Sequence, residues 1–306
     1  MTRASACGKT ILLGEHAVVY GRPALAVPVS EVRATCSVVD VAAGSGVRLM
    51  AQDLDTEFLL DGDEGGETGR ALRLTVRNTC ARLGVDPQGL AWAITVASQI
   101  PIARGLGSGT ALATAMVRAI VAHWGGYLEP GAVSELVYQT ERIYHGTPSG
   151  VDNTVVAYEK PVYFVKGAEP TLMLVGRPVE LVLADTGVPS RTRDAVQDLR
   201  RLWQADPPRY ERLFDAIGSL VDQACQALAR GDCATLGELM DENQRMLSSL
   251  GISSPLLDRL IAVARAAGAL GCKLTGGGRG GCLVALVDAE KRDQVMQLVR
   301  QAFKPE

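Results

Sequence analysis

Three glycines stand at alternate positions just before a helix-favouring run, in the segment PIARGLGSGTALATA that spans residues 101–115. Gly105, Gly107 and Gly109 carry no side-chain bulk and accept positive φ angles, so successive backbone N–H groups can point into one concavity. The helix predicted from Thr110 onward directs the positive end of its dipole at the same place. The segment therefore predicts a phosphate-binding loop, although a flexible loop that enters a core helix has the same short pattern.

The spacing of these glycines excludes the commoner nucleotide-binding motifs. A Walker A loop needs GxxxxGK followed by Ser or Thr, and no such string occurs in the sequence. A dinucleotide-binding fold needs GxGxxG after its first strand and an acidic residue about 20 residues later. The segment RGLGSGTA fits neither pattern.

This loop resembles the second conserved motif of the GHMP kinases, the family that includes galactokinase, homoserine kinase, mevalonate kinase and phosphomevalonate kinase. Three further segments resemble motifs of the same family, in the family's order: ACGKTILLGEHAVVYG (residues 6–21), ERIYHGTPSGVDN (141–153) and KLTGGGRGGC (273–282). The first of these takes the form found in mevalonate kinases. Four motifs in order are far more specific than any one of them.

The resemblance implies which residues handle ATP and the transferred group. Asp152 and Lys9 are the expected catalytic pair, with the carboxylate next to the acceptor hydroxyl and the ammonium keeping it ionised. Glu141 and Ser108 are the expected ligands of Mg²⁺, which prefers hard oxygen ligands and takes few from protein. The expected ATP-binding residues form one continuous loop: Arg104, Gly105, Leu106, Gly107, Ser108, Gly109 and Thr110.

The resemblance also implies an acceptor. In mevalonate kinases the His of GEHAVVYG contacts the acceptor, so Glu15 and His16 are assigned to substrate binding, and we interpret His16 or its backbone as a ligand of the substrate carboxylate. Thr192, which follows a DTG segment at 185–187, and Gly277 complete the expected substrate-binding set. The expected reaction is ATP-dependent phosphorylation of the primary alcohol of mevalonate, which yields 5-phosphomevalonate for isoprenoid precursor synthesis.

Other readings stay open at this point. The acceptor of another GHMP kinase, such as phosphomevalonate, homoserine or a sugar, would use the same phosphate loop. Phosphomevalonate needs an additional basic cluster, which the sequence does not identify. A family member that has lost catalysis and only binds ligand is a rival of a different class, and the presence of Lys9, Glu141 and Asp152 argues against it.

Three positions depart from the family pattern. The second motif usually reads GLGSS, and here Gly109 replaces the second Ser, which meets the metal in mevalonate kinases; Ser108, Thr110 or water is left to take its place. The third motif usually reads GAGGGG, and here Arg279 interrupts the glycines. If the backbone at this position requires a positive φ, Arg is costly there, by about 1 kcal/mol or more. Alternatively, its guanidinium reaches a phosphate or an acid of the other lobe. Cys7 replaces the usual Pro, which removes no chemistry.

Composition favours a soluble cytoplasmic enzyme of one large core or two moderate ones. The chain has 306 residues, 47% of them hydrophobic, and a formal net charge of −3, which gives no electrostatic reason to expect nucleic acid or membrane as a partner. Its seven cysteines lack metal-binding spacing and are odd in number, which favours a reducing compartment. No signal peptide or membrane span is expected, and a homodimer is the expected assembly.

The elements that must position these residues form two predicted lobes of an α+β fold. Alternation predicts strands in the first half at 32–41 and 90–97, with helices at 71–83, 110–123 and 132–144, and a strand-like pair around 153–164. The second half is expected to be mainly helical, at 193–203, 209–229, 233–247 and 255–267, after a strand at 179–184. The family resemblance implies an S5-like N-terminal lobe over 1–170 and a ferredoxin-like C-terminal lobe over 171–306.

Overall fold

A computed structural model describes residues 1–146, 148–190 and 192–303, without the side chains of His145, Thr192 and Arg193. The contacts divide the chain into two compact units. Unit 1 comprises Met1–Lys9, Pro28–Ile102 and Gly107–Glu159. Unit 2 comprises Thr10–Val27, Ala103–Leu106 and Lys160–Glu306. The predicted boundary near residue 170 stays a prediction.

Unit 1 contains a mixed sheet. Two long strands, β1 (Thr2–Leu13) and β2 (Ala24–Asp40), pair with each other, and the later part of β2 lies in this unit. The others are β3 (Val47–Ala51), β4 (Thr56–Leu59) and β5 (Trp92–Ser98). Strand β5 pairs antiparallel with β2 and parallel with β3, and β3 pairs antiparallel with β4. Alternate residues of β2 and β5 are buried, as the period-2 pattern of the sequence predicts.

Four helices accompany this sheet: α1 (Gly66–Leu83), α2 (Ser108–His123), α3 (Pro130–His145) and α4 (Val151–Tyr158). The predicted helices at 71–83, 110–123 and 132–144 are confirmed with small shifts at their ends. The strand-like prediction for 153–158 is wrong, because this β-branched stretch forms α4. Its apolar residues Val151, Val155 and Val156 lie at helical spacing and are buried, which overrides their strand preference. Apolar side chains of α2, α3 and α4 form one buried cluster.

Unit 2 contains a three-stranded antiparallel sheet in the order β8–β10–β9, formed by β8 (Glu180–Asp185), β9 (Gly271–Thr275) and β10 (Cys282–Val287). Two short strands, β6 (Val162–Phe164) and β7 (Thr171–Leu172), pair with each other, and β6 also pairs with the first residues of β2. Strands β9 and β10 are buried along their whole length; β10 is a continuous apolar run, whereas β9 contains the buried polar residues Lys273 and Thr275. The glycine-rich segment between them joins the end of β9 to the start of β10.

Helices dominate the rest of unit 2: α5 (Thr192–Ala205), α6 (Pro207–Arg230), α7 (Cys233–Ser249), α8 (Pro255–Ala266) and α9 (Arg292–Ala302). Side-chain caps at Asp206, Asp232 and Ser254 begin α6, α7 and α8, and Pro occupies the first turn of α6 and α8. Their apolar faces pack in two clusters with the buried strands. The predicted α+β class is confirmed. In the part of the chain that the structure describes, no helix combines the length and apolarity needed to span a membrane.

Candidate active site

An ion pair between Lys9 and Asp152 forms the centre of the candidate site in unit 1. The Nζ atom of Lys9 lies 2.9 Å from Oδ1 of Asp152, and the lysine side chain is 3% exposed while the aspartate side chain is 28% exposed. Gly150, with a φ of 100°, precedes α4 and places Asp152 in its first turn, where the helix dipole favours a negative charge. The pair therefore presents a fixed carboxylate that remains accessible to a ligand hydroxyl.

A second carboxylate, Glu141 of α3, is buried close to this pair. Its burial, together with the neighbouring charge of Asp152, raises its pKa to about 7, while a hydrogen bond with the Thr110 side chain and the charge of Lys9 oppose the shift. Thr110 is itself buried in the first turn of α2. Because the charge of Asp152 acts on Glu141, the two carboxylates lie near each other.

These residues fit a magnesium ion. Two carboxylates beside one buried ammonium leave excess negative charge that a divalent cation would balance, and Mg²⁺ takes only one or two carboxylates from protein. Among the described residues there is no group of three His, Cys, Asp or Glu side chains arranged for a metal. Because the donors at hand are hard carboxylate oxygens, they suit Mg²⁺ carried with a nucleotide better than zinc, which favours Cys and His ligands.

The later part of the phosphate loop lies in unit 1 and begins α2. Gly107 has a φ of 74°, and a Cβ atom at this position would lie 2.9 Å from Cγ of Lys9. Only glycine combines this backbone angle with such a close neighbour. The hydroxyl of Ser108 lies 3.3 Å from that of Ser98. The first backbone N–H groups of α2 therefore stand beside Lys9, as a phosphate site requires.

The earlier part of the phosphate loop lies in unit 2. Gly105 has a φ of 82°, and a Cβ atom there would lie 3.0 Å from the carbonyl oxygen of Thr275. Leu106 is buried. The Nε atom of Arg104 lies 2.9 Å from Oδ2 of Asp185 at the end of β8. This part of the loop is thus fixed against the segment that follows β9.

We call that segment, Gly276–Gly281, the C-terminal glycine loop. The backbone N–H and the hydroxyl of Thr186 both donate to the carbonyl of Gly281, at 2.8 and 2.7 Å. Ser190 donates to the carbonyl of Gly278 at 3.1 Å. The C-terminal glycine loop therefore holds both the start of the phosphate loop and the segment after β8 that the sequence assigns to substrate binding. Arg191 and the side chain of Thr192 lie outside the described residues.

His16 is bound to the same loop. Its Nε2 atom lies 3.2 Å from the carbonyl oxygen of Gly277, so Nε2 must carry the proton that is donated. Burial lowers the pKa of His16 to about 4, which leaves the ring neutral. Its Nδ1 atom is buried and has no hydrogen-bond partner among the described residues. The ring therefore offers one buried lone pair, which accepts a hydrogen bond and repels an anion.

Glu15 forms an ion pair with Lys273 that the sequence did not predict. The Nζ atom of Lys273 contacts Oε1 of Glu15, and both side chains are almost completely buried. The only signal for it was the lysine of KLTGGG, at the start of the third motif. The Glu15 carboxylate is therefore directed at a cation within unit 2.

Arg279 interrupts the C-terminal glycine loop with a φ of 57°. The expected positive φ is confirmed, and the residue carries that cost because its side chain and backbone are tied down. Its backbone N–H donates to Ile252 at 2.8 Å, its Nε donates to Gly251 at 3.2 Å, and its Nη1 lies 2.5 Å from Oδ2 of Asp198 in α5. The acid that it meets belongs to unit 2 itself.

The buried neutral state of His16 predicts a pH dependence of stability. A histidine whose pKa falls from 6.5 to about 4 on folding binds fewer protons in the folded state, so its contribution is complete above pH 6.5 and is lost as pH falls toward 4. We expect His16→Asn to reduce the acid dependence of the unfolding free energy by up to about 1.4 kcal/mol per pH unit in that window. Urea denaturation at pH 7, 6 and 5 measures it, and parallel curves for both proteins would contradict it.

Comparison with known proteins agrees with this geometry. The profile of the GHMP kinases N terminal domain matches residues 70–160, and that of the GHMP kinases C terminal region matches residues 224–305. Mevalonate kinase of Pyrococcus horikoshii is 33% identical over 95% of this chain and 90% of its own, and that of Aeropyrum pernix is 34% identical over 93% and 88%.

Solved structures give the same result. The structure of Methanococcus jannaschii mevalonate kinase matches with a TM-score of 0.85 at 23% identity, over 98% of this chain and 94% of its own. That of L. major mevalonate kinase in complex with R-mevalonate matches with a TM-score of 0.81 at 26% identity, over 98% and 92%. The predicted fold family is thereby confirmed. This chain belongs to the GHMP kinase family and aligns along nearly its whole length with mevalonate kinases of that family.

Proposed function

We propose that this protein transfers the γ-phosphoryl group of MgATP to the primary alcohol of mevalonate, with ADP and 5-phosphomevalonate as products. The observation that carries this proposal is the Lys9–Asp152 pair, which combines a buried ammonium with a partly exposed carboxylate beside the start of α2. The similarity to mevalonate kinases along most of the chain supports the acceptor.

Asp152 and Lys9 carry the transfer step. Asp152 accepts a hydrogen bond from the C5 hydroxyl, aims its oxygen at the γ-phosphorus and takes its proton as the new O–P bond forms and the bond to the ADP oxygen breaks. Lys9 pairs with Asp152 before the step and stabilises negative charge on the transferred group during it. The backbone N–H groups of residues 105–110 bind the ATP phosphates in this proposal.

Glu141 and Ser108 are the proposed protein ligands of Mg²⁺. The ion supplies charge neutralisation between the β- and γ-phosphates when it is bound. Glu141 is held by Thr110, so the threonine hydroxyl fixes the carboxylate that meets the metal. The hydroxyl of Ser108 lies within hydrogen-bond distance of that of Ser98, at 3.3 Å.

The structure changes our interpretation of His16. A neutral ring whose Nδ1 carries a bare lone pair suits a hydroxyl donor, and two acceptors facing each other would repel, so we assign His16 to the C3 hydroxyl of mevalonate. The predicted binding of the substrate carboxylate by the His16 side chain is therefore withdrawn from the proposal.

The charges around the C-terminal glycine loop favour an acceptor without a phosphate. Lys273 faces Glu15, Arg104 faces Asp185, and Arg279 faces Asp198. Each of these cations is already matched by a carboxylate, whereas a phosphorylated acceptor with about two negative charges needs uncompensated cations. This balance favours mevalonate over phosphomevalonate.

A coupled assay of ADP release with mevalonate, phosphomevalonate, homoserine and galactose tests the proposal. We expect kcat/KM for mevalonate to exceed that for each of the other acceptors by at least about 100-fold, since a site built for particular hydroxyls rejects analogues that leave buried groups unpaired. Faster turnover of another acceptor would reassign the substrate. Absence of turnover with all four would favour a catalytically silent protein. The homodimer and the cytoplasmic location remain predictions.

Gly109 provides a test of the metal site by gain of function. A Cβ atom at Gly109 would lie 3.6 Å from the Tyr144 ring and 3.9 Å from Oε1 of Glu141, both ordinary contact distances, and the backbone angle is not positive. We expect Gly109→Ser to fold normally and to supply a further metal ligand beside Glu141. The Mg²⁺ concentration for half-maximal activity should fall about threefold or more, and Mn²⁺ binding to the ATP complex, measured by electron paramagnetic resonance, should tighten equally. Gly109→Ala is the matched control, and equal behaviour of the two variants would contradict the assignment.

A further inference from the structure

The proposed acceptor carries a carboxylate, and the described side chains of unit 2 discussed above leave one donor for it. His16 offers a lone pair, which a carboxylate cannot donate to. Lys273 is completely buried against Glu15. Arg279 donates its Nε–H to the carbonyl of Gly251 and pairs through its Nη1 with Asp198.

Arg104 differs from these cations because one of its nitrogen atoms has no partner among the described residues. Its Nε lies 2.9 Å from Asp185, but its Nη1 is buried and has no hydrogen-bond partner among the residues that the structure describes. A guanidinium nitrogen without an acceptor in a buried place is costly, so such a donor is typically retained for a ligand. The side chain as a whole is only 19% exposed, which makes its position well defined.

The location of Arg104 fits the acceptor in unit 2. Its carbonyl oxygen lies 3.1 Å from the place of a Cβ atom on Gly281, and the next residue, Gly105, packs against Gly276. The neighbouring Gly277 carbonyl binds His16. The Arg104 backbone and the His16 ring therefore both contact the C-terminal glycine loop. The atoms they leave for a ligand differ, since Nη1 of Arg104 is a donor and Nδ1 of His16 is an acceptor.

The net charge of the Arg104–Asp185 pair indicates which of two anions, a triphosphate or a carboxylate, the guanidinium binds better. Asp185 is held in turn by the backbone N–H of Gly187 at 2.9 Å, so it stays beside the arginine. The pair is close to neutral overall, which gives little long-range attraction for a triphosphate but leaves a charge-assisted hydrogen bond for a single carboxylate.

We propose that Arg104 binds the carboxylate of the acceptor through Nη1 and thereby selects anionic acceptors for this kinase. The proposal rests on the proposed function and adds a residue that the resemblance placed with ATP. It assigns complementary hydrogen-bonding roles to two side chains of unit 2: Arg104 donates to the acid group, and His16 accepts from the hydroxyl.

The test compares mevalonate with its neutral primary amide, in wild type and in Arg104→Gln. We expect the wild type to prefer mevalonate by about 30-fold or more in kcat/KM, and the variant to prefer it by less than about threefold, because one charge-assisted hydrogen bond is lost. The KM for ATP should stay within twofold. Arg104→Lys, which keeps the charge without the planar fork, should retain an intermediate preference.

Arg279→Gln is the matched control, since it removes a neighbouring guanidinium that is already paired, and it should retain the wild-type preference. Calorimetric binding of mevalonate to the folded proteins separates the two proposals, because it needs no turnover. Unchanged preference in Arg104→Gln, or a raised KM for ATP with the preference intact, would overturn the role of Arg104. Absence of turnover in the wild type, with mevalonate binding weakened by Arg104→Gln, would overturn the kinase assignment alone.

Discussion

Replacing Asp152 by Asn is expected to lower kcat for mevalonate by about 10³-fold while MgATP still binds. The variant loses the carboxylate that we propose orients the acceptor hydroxyl and takes its proton, and positioned proton transfer contributes about 10² to 10⁴ in rate. It keeps the glycines of the phosphate loop and the buried Glu141. Steady-state kinetics and calorimetric titration with MgATP measure the two effects separately.

The same substitution is expected to reduce stability, because Lys9 is only 3% exposed and loses the carboxylate 2.9 Å away. Breaking a buried pair by removing one partner costs about 3 kcal/mol. The kinetic comparison therefore belongs at a temperature where both proteins are folded, which denaturant curves establish. Glu135→Gln, an exposed carboxylate on the same helix as Glu141, is the control and should leave kcat unchanged. Near-normal turnover in Asp152→Asn would remove Asp152 from the catalytic centre.

The sequence predicted the local features of the site because each depends on residues close together in the chain. The glycines before α2 predict the positive φ at Gly105 and Gly107, and the structure has both. The helices around Glu141 follow from apolar spacing. Of the elements that were predicted, α4 was assigned wrongly, because its valines favour a strand until tertiary packing buries them at helical spacing. Strands β1, β3 and β4 were not predicted.

The partners that lie far apart in the chain could not be predicted from one sequence. Lys273 meets Glu15 across 258 positions, and Arg279 meets Asp198 across 81. Neither pair has a local pattern, since the sequence records which residues are charged and not which of them face each other. The orphaned Nη1 of Arg104 and Nδ1 of His16 are likewise visible only after every neighbouring hydrogen bond has been placed.

These unpredicted contacts change the chemistry of residues that the motifs had already singled out. His16 was interpreted as a carboxylate ligand from its place in GEHAVVYG, but its bond to Gly277 fixes the tautomer and leaves an acceptor. Arg104 was grouped with the ATP phosphates from its place before Gly105, but its pair with Asp185 directs it to the segment after β8. Motif position thus indicated the candidate site, and the hydrogen-bond partners show which of its groups donate and which accept.

Gly107→Val is expected to weaken ATP binding by at least about 100-fold. The backbone at Gly107 has a φ of 74°, which a β-branched residue adopts only with strain, and its first added carbon would lie 2.9 Å from Cγ of Lys9. The substitution therefore moves either the N–H groups at the start of α2 or the lysine that faces Asp152. Calorimetric titration with MgATP on the folded variant measures the loss.

A matched control separates this effect from strain alone. Gly125, which follows α2, has a φ of 76°, and a Cβ atom there would meet no atom within 4 Å. Gly125→Val carries the same left-handed backbone cost, about 1 to 2 kcal/mol, without a close neighbour. We expect both variants to lose stability but only Gly107→Val to lose ATP affinity. Of the two positions, Gly107 is the one next to Lys9. Equal ATP affinity in both variants would reduce the glycines before α2 to a simple turn into a core helix.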